Sequence, residues 1–126
     1  MRVEHTIAAL RMAAKLRAPS ITTEPGGPLE GGGALEGGMS RERAMDVFVA
    51  GLSEALRVAE DVGVRLLVEP EPGLLIENVA QTLELCGRVR SPAFGVNFDI
   101  GHMYCVGEPL TEAVAALAAH VRHYHV

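Results

Sequence analysis

Three short β-prone runs in this 126-residue chain carry side chains able to bind a metal ion or move a proton. Val68-Glu69-Pro70 supplies a carboxylate, and Gly95-Val-Asn-Phe-Asp-Ile-Gly-His102 supplies Asp99 and His102. Tyr124-His125-Val126 supplies an imidazole. A carboxylate and an imidazole three residues apart, as in Asp99 and His102, can converge on one cation or one bound substrate. Alone, the pattern D-x-x-H arises often by chance. Its recurrence carries more weight: Glu69 and Asp99 lie 30 residues apart, Asp99 and His125 26 apart, each at the end of a predicted strand. Polar residues repeated at strand ends, one per unit, are what a (β/α) barrel arranges around its catalytic mouth.

The elements that must position these groups follow from hydrophobic spacing. Residues 4–17 set Ile7, Leu10, Met12, Ala13 and Leu16 on one helical face, and Ala18-Pro19 ends that helix because the residue before proline resists the α region. Ser20–Thr23 is a short strand with Glu24 at its end, placed to contact substrate at the mouth or to cap the glycine-rich segment behind it. Residues 25–39 hold half of the fourteen glycines and read as a long loop. No G-x-x-x-x-G-K-[ST] is present to cradle a phosphate. Ser40 is placed to cap a helix whose face runs through Ala44, Val47, Phe48, Leu52, Leu56, Ala59 and Val62 to Gly63.

Val64–Val68 then reads as a strand and Leu75–Val89 as a helix, with Ile76, Val79, Ala80, Leu83 and Cys86 inward. Phe94–Phe98 alternates large apolar with small or polar residues, as a strand does. A loop holding Met103, Tyr104 and Cys105 follows, then a helix with Pro109 in its first turn and Leu110, Val114, Leu117 and Ala118 inward. Val121–Val126 closes the series as a strand, with His123 read as packing beside His125. The order α-β-α-β-α-β-α-β predicts parallel strands joined by crossovers. A full eight-unit barrel needs about 250 residues. The expected fold is therefore α/β: a (β/α) TIM-barrel fragment of about four parallel strands alternating with helices, one half-barrel domain over residues 1–126.

Composition narrows the function classes. Net charge is −5, and Lys and Arg are scattered, which argues against nucleic acid as a partner. No apolar run reaches the ~20 residues of a membrane span, and the amino-terminal residues carry no signal-peptide pattern. Cys86 and Cys105 form neither C-x-x-C nor a disulfide framework, so a reducing cytoplasm is expected.

Ile21-Thr-Thr-Glu-Pro-Gly-Gly27, Leu67-Val-Glu-Pro70, Asn97-Phe-Asp-Ile-Gly-His102 and His123-Tyr-His125 together resemble the sugar phosphate isomerase/epimerase family. These are xylose isomerase-like barrels, related to ketose 3-epimerases, inosose-processing enzymes and hydroxypyruvate isomerases. The resemblance runs in order over essentially the whole chain. It implies a divalent metal (Mn, Mg, Co or Zn) at the barrel mouth, with Glu69, Asp99 and His125 as ligands and His102 in contact with substrate. It also implies proton transfer beside the carbonyl of a small keto-sugar, sugar phosphate or polyol, with Glu69 as the catalytic acid or base. The family's fourth ligand, a Glu ending the eighth strand, has no counterpart, and neither do strands one to three. The chain is therefore expected to correspond to strands four to seven, a truncated barrel not expected to be active alone. The alternative expectation is a non-catalytic half-barrel that self-assembles, as a homodimer or higher, to cover its open sheet face and edges, and at most binds metal. A DNA-repair nuclease of the same barrel type would want more histidine ligands and a basic face, and neither is visible.

Overall fold

The computed structural model describes residues 2–27, 29–30, 34–35 and 38–126. Helix α1 (Val3–Lys15) leads into strand β1 (Ser20–Thr23), and helix α2 (Arg41–Val62) into strand β5 (Arg65–Val68). Helix α3 (Val79–Arg88) precedes strand β6 (Phe94–Asp99), and helices α4 (Ile100–Cys105) and α5 (Leu110–Leu117) precede strand β7 (Val121–His125). The four strands are parallel in the order β1-β5-β6-β7, which is the expected half of a (β/α) barrel. Between β1 and α2 lie three two-residue strands, β2 (Leu29–Glu30), β3 (Ala34–Leu35) and β4 (Met39–Ser40), paired antiparallel. The loop expected over residues 25–39 is thus partly a small antiparallel sheet, and the rest of that expectation lies in part outside the described residues.

Side-chain alternation divides the main sheet into two faces. Leu66, Val68 and Phe94 pack with Phe48, Leu52 and Ala59 of α2, while Val96, Phe98 and Val121 pack with Met103 of α4 and Leu117 of α5. The residues between them (Leu67 on β5; Gly95, Asn97 and Asp99 on β6) point to the opposite face. Helix ends are locally encoded. Ser40 Oγ accepts a hydrogen bond from Arg43 N at 3.2 Å at the start of α2. Gly63, with φ 71°, closes the other end in the left-handed region that glycine enters without strain.

Several expected boundaries and faces shift. Met12, Leu16, Val47 and Leu83 are exposed, because each buried stripe is narrower than the apolar pattern: α1 buries only Thr6, Leu10 and Ala13. Ala80 and Ala118 are likewise exposed. Helix α3 begins at Val79, after Asn78 Oδ1 takes Gln81 N at 3.0 Å. Leu75 and Ile76 are instead buried in the non-helical run before it. The segment expected as a loop around Met103 is helix α4, capped by Asp99.

Candidate metal centre

Glu69 follows the last residue of β5, Asp99 is the last of β6, and His125 the last of β7. The three tips meet. His125 Nδ1 lies 3.0 Å from Glu69 Oε1 and 2.7 Å from Asp99 Oδ2. The carboxylate side chains are only 17% and 12% exposed, whereas the imidazole is 61% exposed and forms the outer wall. His102 joins from the first turn of α4. Glu69, Asp99 and His102 each bring one ligand atom to within 4.8 Å of the other two.

A β-bulge makes this convergence geometrically possible. Val96 pairs with Val121, yet Asn97 pairs with His123 and Asp99 with His125, so Arg122 is the extra residue. Val121 is buried against the helices. Strict alternation from Val121 would turn His123 and His125 to that same side. The bulge reverses the phase and aims both histidines at the face that holds Asn97 and Asp99. His123, expected to pack, is exposed.

Each carboxylate is held by a second bond. Asp99 Oδ1 accepts from His102 N at 2.8 Å, capping α4 and leaving Oδ2 for His125. Glu69 Oε2 accepts from Asn97 Nδ2 at 2.8 Å, leaving Oε1 for His125. His102 Nδ1 lies 3.1 Å from the Pro70 carbonyl oxygen. A carbonyl only accepts, so Nδ1 carries the proton, and in the neutral ring Nε2 keeps its lone pair for a ligand. Asn97 and the Pro70 carbonyl were not singled out from sequence. The signal for Asn97 was there, since it precedes Asp99 by the strand period of two.

Glu24 is exposed just past β1 and shares a cleft of about 620 Å³ with Thr22, Gly26 and Glu69. It therefore borders the site without joining the carboxylate–imidazole cluster. Burial pushes the Cys86 thiol up to about 11, which keeps it protonated and packed. No helix among the described residues is long and apolar enough to cross a membrane.

The donor set fits a divalent cation. Two largely buried carboxylates already converge on Nδ1 of His125, at 3.0 and 2.7 Å, and a divalent cation would supply the positive charge they face. Two oxygens and one nitrogen suit Mn²⁺, Mg²⁺, Co²⁺ or Zn²⁺ without choosing among them. The hydrogen bond to Glu69, then the charge of Asp99, raises the His125 pKa above its usual value near 6.5. The pair therefore stabilises the metal-free fold fully below about pH 6.5, and the contribution is lost as pH rises through the raised value. The difference in melting temperature between metal-free wild type and His125→Gln is expected to shrink across that window. A constant difference would contradict it.

A family model described as a xylose isomerase-like TIM barrel matches residues 1–126. Among solved structures, the chain is similar to a D-tagatose 3-epimerase-like protein at 28% identity and a TM-score of 0.82, over 98% of this chain and 46% of that one. It is also similar to a xylose isomerase domain protein from Planctomyces limnophilus, at 25% identity and 0.76, over 98% and 41%. The IOLI protein with a binding zinc atom shares the fold at 18% identity and 0.79, over 98% and 42%. The chain thus spans less than half the length of these structures. None of the curated proteins compared matches it.

Proposed function

Because the chain belongs to the xylose isomerase-like TIM barrel family, we propose that it forms the metal-binding, proton-transferring rim of an isomerase or epimerase. The reaction proposed is proton transfer beside the carbonyl of a small keto-sugar, sugar phosphate or polyol. The observation that carries the reading is the meeting of Glu69, Asp99 and His125 at successive strand ends around one point. Glu69, Asp99 and His125 would hold the cation, which when bound supplies Lewis-acid stabilisation of charge developing on the substrate oxygens. Glu69 takes the proton from the carbon beside the carbonyl: the C–H bond breaks, the proton goes to the carboxylate, and the electron pair enters the enediolate. Nε2 of His102 accepts a hydrogen bond from a substrate hydroxyl, and Glu24 meets the far end of the substrate across the shared cleft. Zn²⁺, the metal named with the similarly folded IOLI protein, is one of the cations to try.

Net isomerisation or epimerisation is still not expected from this chain alone, but abstraction and return at one face need only Glu69, so exchange is the activity to measure. Incubating the chain with ketoses and each of the four cations in deuterium oxide is expected to place deuterium on the carbon beside the carbonyl. Glu69→Gln should abolish it. Absence of label in every ketose, with metal bound, would remove the catalytic reading and leave the metal centre standing.

Self-assembly of a non-catalytic half-barrel is favoured by one observation: β7 lies at the sheet edge with four of its five residues exposed. A monomer by light scattering would remove that reading.

A further inference from the structure

Asn97 is the most deeply buried polar side chain on the site face of β6, at 5% exposure. Its carboxamide is used on one side only. Nδ2 donates to Glu69 Oε2 at 2.8 Å, while Oδ1 is buried with no hydrogen-bond partner among the described residues. Exchanging the two atoms would aim an oxygen at a carboxylate, so the partner fixes the orientation. A buried acceptor left unpaired destabilises the fold, and a leucine would fill the same space with no polar atom to satisfy. Packing therefore gives no reason for an amide here. The Glu69 carboxylate does.

We propose that Asn97 is a positioning residue for Glu69, holding Oε2 so that Oε1 alone is presented to the cation. The inference rests on the metal-centre reading above. A carboxylate with both oxygens free can rotate about its terminal torsion or close onto a cation through both of them. The donor on Oε2 blocks both: it ties the plane of the group to β6 and occupies a lone pair that would otherwise compete. Its neighbours on that strand cannot substitute, since Gly95 has no side chain and Asp99 is committed to His125 and the α4 cap.

The test uses the full chain with Co²⁺ as probe, comparing wild type with Asn97→Leu and Asn97→Ala. Both variants are expected to bind Co²⁺ at the wild-type stoichiometry. Their visible absorption should weaken, as a second Glu69 oxygen enters and raises the coordination number. Deuterium exchange should fall about 10–100-fold, while metal-free Asn97→Leu melts no lower than wild type. Spectra that superimpose at full occupancy would overturn the proposal, and Asn97→Ala serves for that comparison if the leucine variant does not fold. If wild type takes up no Co²⁺, the metal reading has failed and the metal-free protein decides about Asn97. Glu69→Ala should then shift the Asn97 side-chain amide signals in the nitrogen–proton spectrum and speed their exchange with solvent. Unmoved signals would overturn the positioning role.

Discussion

Asp99→Asn is expected to lose divalent-cation affinity by about 100-fold or more while the fold survives. The two oxygens of Asp99 have separate work. Oδ1 accepts from His102 N and caps α4, and Oδ2 lies 2.7 Å from His125 Nδ1. Asparagine caps helices about as well as aspartate, so α4 should keep its first turn and the melting temperature should move little. The charge is what disappears. Altering a partner of a metal ligand typically costs 10–100-fold, and removing the charge from a ligand itself should exceed that range. The amide would also turn either a weaker oxygen or an N–H toward His125, which now donates there. Calorimetric titration with Mn²⁺, paired with a thermal melt, separates the two effects. Unchanged affinity would take Asp99 out of the centre.

Gly95→Ala is expected to destabilise the fold by about 1–3 kcal/mol, the usual range for overpacking a filled site. A Cβ at residue 95 would lie 2.5 Å from Arg122 Cγ, 2.9 Å from Leu67 Cδ2 and 3.1 Å from Arg122 Cβ. These atoms belong to the strands on either side, and Arg122 Cβ is fixed by the backbone of the bulge. Relief therefore requires β7 to move. Because the Arg122 bulge sets the phase of His125, Gly95→Ala should weaken cation binding as well as lower the melting temperature, although residue 95 touches no ligand. Adding Arg122→Ala removes Cγ but leaves the Leu67 contact, so rescue should be partial. A Gly95→Ala chain that melts with wild type and binds metal equally would show that β7 yields freely.

The alternation of elements and the residues at strand ends were legible in the sequence, because both follow from short-period patterns. Glu69, Asp99 and His125 could be singled out as strand tips without knowing how the strands pair. What pairing decides was not legible. The Arg122 bulge is invisible in Val121-Arg-His-Tyr-His125, which alternates no better in one phase than the other. Only contact with β6 and the absent side chain of Gly95 select it. Helix α4 was missed because Ile100–Cys105 is too short to show helical periodicity, though Asp99 three residues before His102 is a capping signal as much as a ligand pattern. Met12 and Leu16 are apolar and lie at helical spacing, which points to a buried face. Helix α1 meets its neighbours along a stripe too narrow to cover them. Asn97 was overlooked because its importance lies in the bond it makes to Glu69, across two strands.

The central claim is that Glu69, Asp99 and His125 hold a single cation between them. Crystals grown with Mn²⁺ and measured for its anomalous scattering test it directly. One strong peak is expected, within bonding distance of a Glu69 oxygen, an Asp99 oxygen and a His125 nitrogen. A peak placed elsewhere, with the His125 imidazole still bonded to both carboxylates, would contradict it.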